Sequence, residues 1–305
     1  MKHISSRDNP LYKRLLRIAA GKRDGGGHWS EGRDGDAGTV GRADRQGRPP
    51  VSHAEEPGPI APERPEPRHV MLEGVHLCQS WLQHAGVPEL ALFDVQRLES
   101  QAELRALAAR LPSALCHTLE PRLAKGLSQV EHGQGVYSLA AAPARALPGR
   151  IDHCCLWLDR VQDPGNLGTL LRTAAAAGIA HAYLSRGSAW AWSAKALRSG
   201  QGAHFAMAIY EQVDLMAARG RLAVPLVATS LDDAQSLYDA PLPARCAWVL
   251  GNEGQGVDPA LLKAADMRVF IPQAEGVESL NVAVAAGVCL FEQRRRFGGS
   301  GSALD

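Results

Sequence analysis

Ala247-Trp248-Val249-Leu250-Gly251-Asn252-Glu253-Gly254-Gln255-Gly256 is the stretch whose reading decides the fold. A short apolar run stops there at a glycine-rich turn. The plan is repeated in Val269-Phe270-Ile271-Pro272, then Gly276, then Ser279-Leu280-Asn281-Val282-Ala283-Val284-Ala285. Each run reads as a strand that ends in a loop with peptide groups free to grip a ligand. The second loop opens directly into a small-residue helix. Outward from this region, the patterning predicts strands at 154–160, 180–185, 204–210, 222–229, 246–251 and 267–271. Helices are predicted at 166–177, 191–200, 212–219, 258–265 and 280–296. Such alternation implies an α/β fold, with a mostly parallel sheet and helices on both faces. Ligands of such sheets bind beyond the carboxyl ends of the strands. Asn166, Gly251–Gly256 and Ile271–Ser279 all fall at such ends.

A smaller α/β unit precedes this region. Asn9-Pro10 starts a helix with Leu11, Leu15, Leu16 and Ile18 on one face and Lys13, Arg14 and Arg17 on the other. Val70-Met71-Leu72 reads as a strand, and Glu73-Gly74 leads into a helix containing Val75, Leu77, Trp81 and Leu82. A strand at 89–95, a helix at 100–110 and a strand at 135–140 follow, and 141–149 reads as a linker. The expected domains are therefore 1–147 and 148–298, with 299–305 a flexible tail. Residues 22–68 are rich in Gly, Pro and charge and nearly devoid of bulky apolar side chains. Such a segment buries too little apolar surface to offset its ordering entropy, so a disordered insertion is expected.

A chain of 305 residues suits two domains, and 45% hydrophobic with 21% charged residues is ordinary globular composition. The net charge of +1 excludes a globally basic protein, so a polyanionic partner must be met by a local patch. Lys13, Arg14, Arg17, Lys22 and Arg23 are the nearest thing to one, and read equally well as a solvated helix face. The six cysteines lie mostly in apolar runs with no C-x-x-C pair, as expected of free thiols in a reducing compartment. His76 and His84 do not join them at zinc-like spacing, so no metal is expected. The N-terminus lacks the apolar core of a signal peptide, and no apolar run reaches the ~18–20 residues of a membrane span. A cytoplasmic protein without a membrane partner is expected.

The segment from Asp159 to Ala174 carries the third set of candidates. Pro164-Gly165 forces a turn, Asn166 is placed to cap the following helix, and Arg172 reads as lying on roughly the same side. Each residue has a plain reading: a helix cap for Asn166, Ser279 or Asn281, a surface ion pair for Arg172, a solvated carboxylate for Glu253. An Asn281 followed at once by Val282, Ala283, Val284 and Ala285 is nevertheless costly unless it finds a partner. The small-residue helix suggests close packing against another backbone, such as that of a second subunit. A nicotinamide-dependent enzyme is disfavoured, because the turn at 163–168 lacks the G-x-G-x-x-G spacing.

Together the stretches resemble three motifs of the SpoU, or TrmH-type, branch of the SPOUT RNA methyltransferases. They are Asp163-Pro164-x-Asn166-x-Gly168-x-x-x-Arg172-Thr173-Ala174, Leu250-Gly251-Asn252-Glu253-Gly254-x-Gly256, and Ile271-Pro272 through Ser279-Leu280-Asn281-Val282-x-Val284-Ala285. Ile4-Ser5-Ser6-x-x-Asn9-Pro10 and Leu72-Glu73-Gly74 resemble the family's ribosomal-protein-L30-like substrate-binding domain. The resemblance implies a C-terminal trefoil knot, an exception to the general absence of knots. It also implies a homodimer with its active site at the subunit interface, and methyl transfer from S-adenosylmethionine to a ribose 2′-hydroxyl of tRNA or rRNA.

By the same resemblance the backbone at Gly251, Ile271 and Leu280, with Asn252 and Gly256 in the same loops, holds the cofactor. Asn166, Arg172, Glu253, Ser279 and Asn281 surround the reacting hydroxyl. A guanidinium stays protonated in proteins, so Arg172 reads better as a phosphate ligand than as the base. The chain departs from the pattern at Glu275, where Gly is usual, at Ala283 and at Gly200. A non-catalytic RNA-binding or ribosome-assembly factor on the same fold is the alternative.

Overall fold

The computed structural model describes residues 1–21, 68–276 and 279–298. The expected insertion, apart from Arg68, and the expected tail lie outside the described residues. The N-terminal unit consists of β1 (Lys2–Ile4), α1 (Pro10–Ala19), β2 (His69–Glu73), α2 (Val75–His84), β3 (Leu90–Asp94), α3 (Val95–Ser100), α4 (Ala102–Ala109), β4 (Cys116–Leu119), α5 (Pro121–Leu127) and β5 (Val136–Ala141). Its five strands form one sheet in the order β1-β4-β3-β5-β2. β1, β4 and β3 run parallel, and β5 is antiparallel to both of its neighbours.

Asn9 starts α1 as its type predicts, its side-chain oxygen accepting from the Leu11 and Tyr12 N–H groups. The buried face of α1 is Tyr12, Leu15 and Ile18, and the expected Leu16 is instead 36% exposed. The three buried residues are spaced by three positions, so Leu16 turns away from their stripe. The helix expected at 100–110 is α4, and an unexpected short helix, α3, precedes it, the two separated at the extended Gln101.

The C-terminal unit consists of β6 (Cys155–Leu158), α6 (Pro164–Ala177), β7 (His181–Ser185), α7 (Ala194–Gly200), β8 (Ala208–Val213), α8 (Leu215–Arg219), β9 (Leu226–Thr229), β10 (Gln235–Ser236), β11 (Ala247–Leu250), α9 (Pro259–Ala264), β12 (Met267–Phe270) and α10 (Val282–Phe297). The strand order is β10-β12-β9-β11-β6-β7-β8, and every pairing is parallel. Side chains alternate across the sheet. Leu156, Leu158, Trp248 and Leu250 join a core shared with α6 and α10, whereas Cys155, Trp157, Ala247 and Val249 face α8 and α9. The expectation of a mostly parallel α/β sheet covered on both faces is met.

Two strands start four residues later than expected. Residues 203–205 form a 3-10 turn and the strand starts at Ala208, because Gly202 takes a left-handed φ of +88° just before. Of 222–229 only Leu226–Thr229 is strand, since Pro225 lacks the N–H that would extend the ladder upstream. All six cysteines are buried and none is in a disulfide.

The two units meet across an aromatic joint. Trp81 on α2 packs edge-on against Trp192 and Phe205, each at 6.0 Å between ring centroids. The Arg68 guanidinium lies over the Trp190 ring at 5.3 Å. Because β6, β11 and β12 are parallel members of one sheet, the loops that follow them leave from the same edge.

Candidate active site

Asp159 ends the all-apolar run of β6 and is 4% exposed. A carboxylate buried so deeply needs partners, and it has several. Its oxygens accept from Ser185 Oγ at 3.2 Å, from the Asp258 N–H at 2.9 Å and from the Arg160 guanidinium at 3.0 Å. Arg160 has a left-handed φ of +53°. Its NH1 donates to Gln255 Oε1 at 3.1 Å, and its carbonyl accepts from Asn252 Nδ2 at 2.9 Å. Asp159 and Arg160 thereby fasten the loop after β11 to the end of β6. Neither was singled out from the sequence, although a lone acid closing a fully apolar strand was a readable signal.

The loop after β11 is closed on itself. Asn252 and Gly256 exchange backbone hydrogen bonds at 3.0 and 2.9 Å, and Asn252 Oδ1 accepts from the Gly254 and Gln255 N–H groups. Gly251 is buried under this closure, and a Cβ there would collide with the backbone of Gly256 and Val257. Glycine at 251 is thus a requirement of close approach between two stretches of main chain.

Glu253 projects from the loop toward the start of α6. Its carboxylate accepts from the Gln162 N–H at 3.2 Å, the Asp163 N–H at 3.3 Å and Asn166 Nδ2 at 3.0 Å. Partial burial pushes this carboxyl up. The Asn166 amide and the N–H groups of Glu253, Gln162 and Asp163 together outweigh that effect and hold it below its ordinary range. The cap of α6 is Asp163, not the expected Asn166, because Pro164 occupies the first helical position and leaves Asn166 inside the first turn. Lys195 lies 2.5 Å from the other Asp163 oxygen, and it and the Asn166 N–H lower that carboxyl.

Asn281 fills both roles left open for it. Its Oδ1 caps α10 by accepting from the Ala283 and Val284 N–H groups, and its Nδ2 donates to Asn166 Oδ1 at 3.1 Å. Glu253, Asn166 and Asn281 form one hydrogen-bonded chain that links the loops after β11, β6 and β12. Beside that chain a cavity of about 510 Å³ opens, lined by Gly251, Asn252, Glu253, Gly256, Ile271, Ser279, Leu280 and Asn281 among others. The two peptide loops and the helix start expected to converge do converge. Leu250, Ile271, Leu280 and Val282 supply apolar wall. Ser279 is exposed and caps nothing.

Arg172 is the exception. Six residues turn an α-helix by about 600°, leaving Arg172 about 120° from Asn166, not on the same side. It is exposed, does not line the cavity and has no hydrogen-bond or ion-pair partner among the described residues. Glu275 is exposed in the loop before Gly276, whose φ is +82°. Among the described residues, no group of three or more His, Cys, Asp or Glu is placed to hold a metal. No helix among them is long and apolar enough to cross a membrane.

Residues 153–291 match the SpoU rRNA Methylase family. The 23S rRNA (guanosine(2553)-2′-O)-methyltransferase RlmP of Bacillus subtilis is 34% identical over 238 residues, covering 76% of this chain and 91% of that protein. The chain belongs to the SpoU rRNA methylase family. A second member, the 23S rRNA (guanosine-2′-O-)-methyltransferase RlmB of Bordetella pertussis, is 31% identical over 74% of this chain and 97% of its own length. The solved SpoU methyltransferase AviRb of Streptomyces viridochromogenes, in complex with AdoMet, superposes with a TM-score of 0.65 at 26% identity. That match covers 76% of this chain and 91% of AviRb.

Proposed function

We infer that this SpoU-family chain is an S-adenosylmethionine-dependent RNA methyltransferase acting on a ribose 2′-hydroxyl, and that its substrate is ribosomal RNA. The observation that carries the reading is the Glu253–Asn166–Asn281 chain running beside a cavity walled by backbone and apolar groups. The cavity's volume suits a nucleoside-sized ligand, since such pockets span about 300–1,000 Å³. Its walls offer apolar side chains for a base, peptide groups for a bent ligand, and the Glu253 carboxylate for a cation. Gly251, Ile271 and Leu280 would hold S-adenosylmethionine through their backbone, with Asn252 and Gly256 shaping the loop. When bound, the cofactor supplies an electrophilic methyl group on a sulfonium.

The residues around it have positioning work to do. Transfer would form the ribose O–CH3 bond as the sulfonium S–CH3 bond breaks, leaving a neutral thioether, with the hydroxyl proton passing to water. The hydroxyl must therefore be aimed and its developing charge stabilised. Asn166, Ser279 and Asn281 orient the hydroxyl and the neighbouring phosphate. Glu253 fixes Asn166 and the α6 start, and has no bond to Arg172. Arg172 binds the phosphate beside the target ribose with its planar fork. Its absence from the cavity of its own chain favours a site completed by a second copy. Val284 and Phe291 on α10 are 53% and 47% exposed and lie on one stripe with Val288, an apolar face suited to that contact.

The proposal therefore includes a homodimer, a C-terminal trefoil knot, and an L30-like fold for the N-terminal unit. Buried free thiols favour the cytoplasm.

The test is transfer of labelled methyl from S-adenosylmethionine to deproteinised 23S rRNA, with the label recovered in a 2′-O-methylated nucleoside. Failure to label any RNA overturns the reading. Arg172→Lys keeps the charge and loses the fork, so kcat/KM falls at least about tenfold with S-adenosylmethionine affinity retained. A lysine variant of wild-type turnover refutes the role of Arg172.

A further inference from the structure

A second cavity, of about 540 Å³, opens in the N-terminal unit between the end of β3, α5 and the 128–135 loop. We propose that this cavity seats the phosphodiester backbone of a single-stranded RNA segment, with Arg97 and Lys125 as its phosphate ligands. The proposal rests on the RNA reading above and names where, away from the reaction centre, the substrate is gripped.

Arg97 enters the cavity from α3 and Lys125 from α5, so the two cations approach from different elements. Both are exposed, and neither the Arg97 guanidinium nor the Lys125 ammonium has a hydrogen-bond or ion-pair partner among the described residues. Three other cations of this unit are engaged: Lys13 pairs with Asp8 at 2.8 Å, and Arg105 and Arg122 donate to the Glu99 and Ser5 carbonyls. The expected basic patch on α1 is thus partly neutralised, while two unforeseen cations stand free.

The carboxylates nearby are largely committed. Glu73 accepts from Ser128 Oγ at 2.5 Å and from the Gln129 N–H at 2.8 Å. Buried Asp94 accepts from the Arg97 N–H at 3.1 Å. Glu131 remains, on the exposed rim.

The wall is built to hold Arg97 in place. Gly135 has φ +72°, and a Cβ there would come within 2.6 Å of Arg97 Cδ and 2.8 Å of Asp94 Cβ. Gly133 is equally confined by Ser128 and Glu73. Gln134 Oε1 accepts the Val75 N–H at 2.8 Å and pins the loop to the start of α2. A fork and a point charge converging on a concave site suit the phosphates of a bent single strand better than the broad groove of a duplex.

Filter binding of the full chain to deproteinised 23S rRNA over a salt series tests this. Arg97→Ala/Lys125→Ala should lose about tenfold or more in affinity and about two units of the log–log salt slope. Its S-adenosylmethionine affinity by calorimetry should equal wild type, which also reports an intact fold. Gly135→Ala should reproduce the Arg97 part of the loss. Arg110→Ala, outside the cavity, sets the effect of removing any one surface charge.

Wild-type affinity and slope in the double variant, or a loss no larger per charge than that of Arg110→Ala, overturns the site. So does displacement of the rRNA by polyglutamate as readily as by poly(U) at equal charge, which would make the ligand an acidic peptide. If wild type methylates rRNA while the double variant binds unchanged, the site falls and the methyltransferase reading stands. If wild type neither binds nor methylates rRNA, both fall.

Discussion

The two cavities of this molecule are similar in size and opposite in polar economy. In the crevice beyond β6, β11 and β12, the polar groups have spent their hydrogen bonds on one another: Glu253 on Asn166, Asn166 on Asn281, Asn252 on its own loop and on Arg160. At the N-terminal cavity Asp94 and the nearby Glu73 are committed to hydrogen bonds, while the Arg97 and Lys125 side-chain charges are left without partners among the described residues. The difference matches the ligands proposed for the two. A reaction centre needs groups held in place before the ligand arrives, because pre-organised dipoles cost no reorganisation at the moment of reaction. A polyanion site needs accessible positive charge and tolerates looser geometry, since phosphate contacts act largely through counterion release.

The harshest way to break the comparison is Gly251→Ala. The added methyl meets main chain, which cannot swing aside as a side chain can. Overpacking of this kind costs about 3 kcal/mol, equivalent to roughly a hundredfold in cofactor affinity. Calorimetry with S-adenosylmethionine should register that loss while rRNA affinity at the N-terminal cavity stays within about twofold. If rRNA affinity falls in parallel, the two regions are one binding unit and the contrast drawn between them is wrong.

Glu253→Gln acts more gently. It keeps the shape but removes the charge, and one end of its amide must present N–H to a donor, either Asn166 Nδ2 or the Gln162 and Asp163 N–H groups. A hydrogen bond to a charged group is worth about 1.5–3 kcal/mol, so kcat/KM should drop roughly ten- to a hundredfold. The loss should sit in turnover, with the salt slope of RNA binding unchanged. A variant with wild-type turnover would leave Glu253 a merely decorative turn carboxylate.

Much of this was legible in the sequence, and the rest was hidden for definite reasons. The parallel sheet could be read because β6 and β11 are continuous apolar runs, as strands buried on both faces must be. The loops at Gly251 and Ile271 could be read because strand ends in such sheets carry sites. β1 is only three residues long, and β4 is interrupted by the polar His117 and Thr118, so neither gives an apolar run to detect. The run from His204 to Tyr210 reads as a strand until Gly202 turns the chain and a 3-10 turn uses up its start.

Asn166 looked like a cap because the cap position and the third helical position differ by only a few residues, and Asp163 won it. That Glu253 would reach Asn166 across 87 residues is a tertiary fact with no local signature. Arg97 and Lys125 are 28 positions apart (97 and 125) on separate helices, so no window of sequence shows them as a pair. Asp159 was the avoidable omission. A carboxylate closing four apolar residues has to be satisfied somewhere, and here it is satisfied in part by the loop after β11.

The smallest effect concerns the joint between the two units. His204 is buried against Trp192, its ring 5.3 Å from the indole. Nε2 lies 2.7 Å from the Ala191 carbonyl, while Nδ1 has no hydrogen-bond partner among the described residues. Burial pushes the imidazole down to about 4, only partly opposed by the Ala191 carbonyl. A proton added at Nδ1 would be a buried donor with nothing to accept it, so the folded protein resists protonation while the unfolded chain accepts a proton near 6.5. Stability from this group is therefore complete above about pH 6.5 and is lost as the pH falls toward 4. The loss approaches about 3 kcal/mol at the acid end.

Thermal unfolding should show wild-type Tm falling by several degrees over that window. His204→Gln should start lower, from lost packing, and fall less. Because Trp192 also packs on Trp81 of the N-terminal unit, the acid transition should loosen both cavities together. If rRNA and S-adenosylmethionine affinities part company as the pH drops, the joint does not couple them, and each site keeps its geometry on the strength of its own sheet.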